Sequence, residues 1–311
     1  MNTIKFSSIY EMKKETNNVE IYSINKNKNF NYYSNAHMNI YVTKKCNGKC
    51  FFCMNKYEKR FGNCIELGDK DYFNNLEKVL INIKNINPRI SITGGEPTKS
   101  NRIVNLLRLI KKHNYKLRTF STNGSGLFDL YEDKYIIEHM KENNCINNIN
   151  VSRMSTDDLL NKEIMGTNIT NDLIKRIFMY GKINNMDIRL SCNLLANSVK
   201  DLDSILNFVN FYENMGVDTI MFRELINIEN KITIDKIFNE IKKDSRFIHL
   251  DTLDGMYYIV DIYRYKDKLV KCYKEKNNNI KNVIREFVYY PDGILNNGFN
   301  TSEIVKVGND V

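Results

Sequence analysis

The chain has 311 residues, 42% hydrophobic and 27% charged, with 46 basic and 37 acidic side chains and a net charge of +9. That length buries a sizeable core, and the composition is globular, which excludes disordered and fibrous classes. No apolar run reaches the roughly 20 residues of a membrane-spanning helix, and the start MNTIKFSSIYEMKKE lacks the apolar centre of a secretory signal, so a cytoplasmic location without membrane contact is expected. The positive balance suits an acidic partner such as a nucleotide or phosphorylated substrate, or else solvated faces of a Lys-, Asn- and Ile-rich chain. No block of five like charges occurs, so no nucleic acid is expected.

Residues 1–35, including Asn25-Lys26-Asn27-Lys28-Asn29, sustain no period and read as an N-terminal extension. Met38–Thr43 then reads as a strand, followed by a cysteine-bearing loop. Over Asp71–Lys84 a helix is predicted, with Phe73, Leu76, Val79, Leu80 and Ile83 on one face. Arg89–Thr93 is a second strand, leading to a helix that turns Ile103, Val104, Leu106, Leu107 and Ile110 inward. Lys116–Ser121 is a third strand, with a helix near 130–142. Ile149–Arg153 is a fourth, followed by helical stretches to about residue 183. Asp187–Asn193 is a fifth, leading to Leu202–Asn214, and Thr219–Arg223 is a sixth, with a helix near 233–243.

Strict alternation of this kind argues for a parallel sheet with right-handed crossovers, either an open doubly wound sheet or a partial barrel. Chemistry then belongs at the C-terminal ends of the strands. After residue 246 the rhythm changes. Tyr257–Tyr265 and Leu269–Glu275 flank Lys266-Asp267-Lys268, while Val283–Tyr290 and Ile294 onward flank Pro291-Asp292-Gly293. Residues 246–311 therefore read as a small antiparallel β element, a lid or substrate reader, after a catalytic region over 36–245.

Seven cysteines in such a chain point to metal binding, catalysis or buried thiols rather than disulfides. Cys64, Cys145, Cys192 and Cys272 are scattered, but Cys46-Asn-Gly-Lys-Cys50-Phe-Phe-Cys53 gathers three thiols on one loop just past the first strand. Three thiolates suit an iron–sulfur cluster with one iron left for an outside ligand, and Gly48 lets the loop curl. Spacing alone leaves open a zinc site completed by Cys64, or three buried thiols.

The C-x3-C-x2-C spacing with aromatic Phe52, and Gly94-Gly95-Glu96-Pro97 ending the second strand, resemble the radical S-adenosylmethionine (SAM) superfamily. The resemblance spans roughly residues 36–245 and implies a partial (β/α)6 TIM-like barrel. It implies a [4Fe–4S] cluster on Cys46, Cys50 and Cys53, and SAM held near Gly94, Gly95, Glu96 and Pro97. Ser121-Thr122-Asn123-Gly124 resembles a segment of the branch that includes the molybdenum-cofactor GTP cyclase, so Ser121 and Asn123 are expected at SAM. Ser152, Arg153 and Asn193 are expected there by their strand-end positions, while Cys192, Arg223 and Glu224 are candidates for the substrate side. Unlike that cyclase, the chain has only Cys272 in its C-terminal part, which implies no second cluster.

The implied chemistry is reductive cleavage of SAM to a 5′-deoxyadenosyl radical that abstracts hydrogen, an oxidoreductase or lyase activity. The expected substrate is small and anionic or nucleotide-like, with a ribosomally made peptide as the alternative. A non-catalytic zinc- or cluster-binding protein is the reading from a different class. Lys44, Lys45, Lys49, Lys56, Lys59 and Arg60 around the loop suit an anionic substrate or an acidic electron donor such as flavodoxin.

Overall fold

The computed structural model describes residues 19–25, 28–225, 232, 234–254, 258–276 and 284–299; at 19–25, 28–35, 59 and 285 it describes the backbone course only. These residues fall into two compact units. One takes those within 15–47, 53–149 and 280–311, the other those within 48–52 and 150–279.

In the first unit, β1 (Val19–Asn25) and β2 (Lys28–Tyr41) form an antiparallel ladder. Part of the aperiodic stretch expected over residues 1–35 is thus strand, while 1–18, 26 and 27 lie outside the described residues. Asn and Ser interleaved with Tyr and Ile blur the two-residue period by which a strand is read. Strand β2 then runs parallel to β3 (Arg89–Thr93), with His37 opposite Arg89 and Tyr41 opposite Thr93, and β3 runs parallel to β4 (Leu117–Thr122). The crossovers carry α1 (Lys59–Asn63), α2 (Asp69–Asn82) and α3 (Ile103–Lys112).

Helix α3 shows why these segments are helical. Ile103, Val104, Leu106, Leu107 and Ile110 recur at three- and four-residue spacing and are all buried. Each such burial stabilises by roughly 1.5–3 kcal/mol. A hairpin, β5 (Leu130–Tyr131) and β6 (Lys134–Tyr135), precedes α4 (Ile136–Glu142). The helix expected from about residue 130 starts late because Glu132 and Asp133, at φ +48° and +64°, make the hairpin turn.

The second unit repeats the pattern. Strands β7 (Ile149–Ser152), β8 (Ile188–Asn193) and β9 (Thr219–Arg223) lie side by side, with α5 (Asp158–Met165), α6 (Asn171–Ile183), α7 (Leu202–Glu213) and α8 (Ile234–Lys243) in sequence between and after them. Asp157 caps α5 by accepting from Leu160 N–H at 2.8 Å, and Asp201 caps α7 by accepting from Ser204 N–H at 2.9 Å. Phe222 of β9 meets Phe208 of α7, with ring centroids 5.7 Å apart, so this face of the sheet is the helix-covered one.

Strands β11 (Tyr258–Tyr265) and β12 (Lys268–Glu275) form the expected antiparallel pair, and β10 (Phe247–Asp254), not expected from the sequence, extends it to a meander. Strand β12 also joins β9 in parallel, Val270 opposite Ile220 and Tyr273 opposite Arg223. Back in the first unit, β13 (Ile284–Tyr289) pairs parallel to β2 and antiparallel to β14 (Leu295–Asn296). Tyr257 and Val283, expected as strand starts, lie outside the described residues. All six expected β–α units are present, three in each unit, an α/β fold with parallel sheet.

Candidate functional site: cysteine loop and strand ends

In the first unit the chain leaves β2 and enters the cysteine loop through Thr43, Lys44 and Lys45. The glycine loop after β3 grips this segment. Gly95 N–H donates to Thr43 O at 2.8 Å and Glu96 N–H to Lys45 O at 2.9 Å. A Cβ on Gly95 would stand 1.9 Å from Lys45 O, and one on Gly94, at φ +139°, 2.9 Å from Thr43 O. Both glycines are therefore required by the close approach of two backbones, one of which leads directly into Cys46. Asn55 Nδ2 closes the far side by donating to Gly94 O at 2.8 Å.

The Glu96 side chain, 2% exposed, points into the protein. Its carboxylate accepts from Thr98 N–H, Thr98 Oγ1, Thr122 Oγ1 and Asn123 N–H at 2.5–3.0 Å. It clamps the glycine loop to the end of β4, and burial raises its pKa from the ordinary carboxylate value. Pro97, buried, opens the short turn that follows. Asn123 Nδ2 donates to Asn47 Oδ1 at 2.9 Å, beside Cys46, while Ser121 is half-buried. The strand-end polar groups expected at SAM thus shape the cysteine loop through hydrogen bonds of their own.

Cys46 is exposed, Cys50 and Cys53 are half-buried, and none of the seven cysteines is in a disulfide. Among the described residues, no three His, Cys, Asp or Glu side chains stand gathered as a ready metal cage. The donor set nonetheless fits an iron–sulfur cluster by its chemistry, three accessible soft thiols on one short loop. Cys64 is buried, donates to Phe61 O at 3.3 Å, and has its thiol pushed up chiefly by burial, which disfavours it as a fourth zinc ligand. Cys145, Cys192 and Cys272 are core thiols, Cys145 pushed up to about 12 by burial. Two of the basic groups near the loop are already engaged. Lys44 Nζ donates to Gly62 O and Cys64 O, and Arg60 pairs with Asp292.

The middle of the loop belongs to the second unit, and a residue that sequence reasoning missed positions it. Lys49 N–H donates to Met165 O at 2.8 Å, and Cys50 Sγ lies 3.5 Å from the same oxygen. Gly166 ends α5 at φ +66°, and a Cβ there would meet Lys49 Cβ at 2.7 Å. A glycine after a periodic helix is the visible sequence signal; its contact with the cysteine loop is not. An open cavity of about 320 Å³ is lined by Phe51, Leu195, Ala196 and Asn197.

The remaining predicted residues separate. Arg153, expected at SAM, is 0% exposed. Its Nε donates to Ser155 O at 2.7 Å and Tyr212 OH at 2.6 Å, Nη2 to Asp158 at 2.5 Å and Asn171 at 3.0 Å, and Nη1 to Ile169 O. Its guanidinium binds the start of α5 and α6 to α7. Ser152 and Asn193 are half-buried at the ends of β7 and β8. Cys192 faces the other way, fully buried, its thiol raised by desolvation. Arg223 lies over the Tyr273 ring at 4.5 Å, and the Glu224 carboxylate accepts from Glu275 N–H at 3.0 Å.

Comparison with known proteins follows this geometry. Residues 40–182 match the model of the Radical SAM superfamily. Probable GTP 3′,8-cyclases of Sulfolobus acidocaldarius and Sulfurisphaera tokodaii are 24% and 29% identical, each covering 60% of this chain and 55% of their own length. Streptococcus suis SuiB bound to S-adenosylmethionine aligns with a TM-score of 0.51 at 22% identity, over 68% of this chain and 45% of SuiB. SuiB bound to precursor peptide SuiA aligns at 0.52 and 21%, over 68% and 46%. The chain thus spans about half the length of these relatives, and the structural likeness shows the partial TIM-like barrel fold. No helix among the described residues is long and apolar enough to cross a membrane. Over residues 40–182, less than half of its length, the chain is thus similar to the radical SAM superfamily, whose enzymes use a [4Fe–4S] cluster and S-adenosylmethionine.

Proposed function

We propose that the chain holds one [4Fe–4S] cluster on Cys46, Cys50 and Cys53 and performs radical chemistry on a small anionic substrate. The observation that carries this reading is the backbone grip of Gly95 and Glu96 on Thr43 and Lys45, which couples the glycine loop to the cysteine loop. Cys46, Cys50 and Cys53 would hold the cluster, which together with SAM would supply radical hydrogen-abstraction chemistry. The protein's part is to bind, orient and exclude water. Gly94 and Gly95 bring backbone close enough to meet the SAM amino group. Phe51, 41% exposed on the cysteine loop, gives the cavity beside Leu195–Asn197 an apolar wall suited to an adenine ring. Glu96 and Asn123 hold the glycine loop and the segment that enters Cys46 still. An acidic electron donor such as flavodoxin would meet the basic loop.

A second reading, maturation of a ribosomally made peptide, draws on β10, which ends its sheet as an edge strand able to pair with an extended segment. The test is anaerobic purification followed by metal analysis and product assay. Brown protein with about four irons per chain, making 5′-deoxyadenosine from SAM after reduction, is the expected result. Colourless protein with stoichiometric zinc contradicts it.

A further inference from the structure

Beyond the cysteine loop, the second unit carries a row of side chains across three adjacent parallel strands. Asn193, Arg223 and Tyr273 are register partners at the C-terminal ends of β8, β9 and β12, the end at which α/β barrels bind substrate. Paired residues share a sheet face, and this one is opposite to the face on which Phe222 meets α7.

Arg223 is the unusual member. It is half-buried, its guanidinium lies 4.5 Å over the Tyr273 ring, and its Nε is buried with no hydrogen-bond partner. Among the described residues it makes no ion pair. Its backbone is fixed, since Leu194 N–H donates to Arg223 O at 2.9 Å, and Glu224 N–H donates to Tyr273 O at 3.1 Å. The adjacent carboxylate of Glu224 is turned to the Glu275 backbone. One register row deeper on the same face is Lys271, 1% exposed, opposite Met221 of β9 and Ile262 of β11. Burial and the nearby Arg189 lower its affinity for a proton to about 7, against the pull of Asp187. A buried donor left without a partner is unfavourable, and the half-buried guanidinium that carries it keeps capacity for a bound anion.

The geometry points to Arg223, braced on Tyr273, as the residue that binds an oxyanion group of the substrate, phosphate or carboxylate. This deepens the reading above and rests on it. The guanidinium fork suits bidentate capture of either group, and ring stacking holds it without satisfying its donors.

The test is calorimetric titration of the cluster-loaded full chain, kept anaerobic at neutral pH, with inorganic phosphate and with succinate. One of the two is expected to bind saturably, identifying the source of the oxyanion. Arg223→Gln should weaken that binding by about tenfold or more, Arg223→Lys less, and Tyr273→Leu by a few-fold. Thermal melts of the same samples establish that each variant is folded. No saturable binding by wild type, or equal binding by Arg223→Gln, overturns the proposal. The two readings fail separately. Wild type that makes 5′-deoxyadenosine but shows no Arg223-dependent binding sinks this inference alone. Arg223-dependent binding in a chain that never cleaves SAM sinks the functional reading alone.

Discussion

Two arginines stand at strand ends of the second unit, on either side of β8, and live opposite lives. Arg153, just past β7, is fully buried with every side of its guanidinium hydrogen-bonded, to Ser155, Tyr212, Asp158, Asn171 and Ile169. Arg223, the last residue of β9, is half-buried, stacked on one ring, with a buried Nε lacking a partner. The first is saturated by the protein and so builds structure. The second keeps its donors in hand and so can bind something else. The same division runs through the first unit, where Glu96 and Asn123 spend their polar atoms on Thr98, Thr122 and Asn47. A polar residue at a strand end therefore marks a site only when its hydrogen-bonding capacity is left over.

The comparison can be broken most forcefully at Arg153. Arg153→Met should destabilise by roughly 3–5 kcal/mol, because it strips partners from Asp158 and from two buried carbonyls at once. Arg223→Met should change stability by under about 1 kcal/mol. Urea unfolding of both variants measures the contrast, and equal losses would erase the distinction.

Lys271 sharpens it, being buried among apolar side chains and charged only at a cost. Its amine has a proton affinity lowered to about 7. Between about 7 and its ordinary value the unfolded chain binds the proton and the folded chain does not, so stability rises with pH through that window. The full penalty applies below about 7. Lys271→Met should therefore stabilise by roughly 2–4 kcal/mol at the acidic end, with the gain shrinking toward pH 10. Unfolding free energies across that range check the sign. A gain independent of pH would show that packing, rather than charge, sets the cost.

A smaller loss than at Arg153 is expected at Glu96. Glu96→Gln should cost about 1–3 kcal/mol, since one amide N–H would then face the Asn123 N–H that the carboxylate now accepts. Because burial raises the Glu96 pKa, the folded state holds its proton more tightly than the unfolded one. Wild-type stability should thus fall as pH rises through the folded value, and the Gln variant should lose that slope. Retention of the slope would place its origin elsewhere.

Much of the architecture is legible in the sequence where its cause is local. Arg89–Thr93 and Thr219–Arg223 are strands to the residue, because β-branched and apolar runs there are sharply bounded. The cysteine spacing and the glycine loop are readable for the same reason, their chemistry being contained in a few consecutive positions. Strand β10 is harder to see, since His249, Asp251 and Asp254 interrupt its apolar pattern along an edge that faces outward. Other features depend on register between distant segments. Nothing near Gly166 announces that Lys49 packs against it, and nothing near Tyr273 announces that it braces Arg223 fifty residues earlier. Burial also reverses expectations that residue type alone encourages, as Arg153 shows, because a strand-end position does not reveal how many partners the fold supplies.

The account rests most heavily on the three cysteines, and they can be examined one at a time. Cys46→Ala, Cys50→Ala, Cys53→Ala and Cys64→Ala, each reconstituted anaerobically with iron and sulfide, should be assayed for 5′-deoxyadenosine released from SAM after reduction. The first three are expected to lose it entirely while Cys64→Ala, whose thiol is buried against Phe61, retains it. Full release by any of the first three, or loss confined to Cys64→Ala, would contradict the assignment of the cluster to Cys46, Cys50 and Cys53.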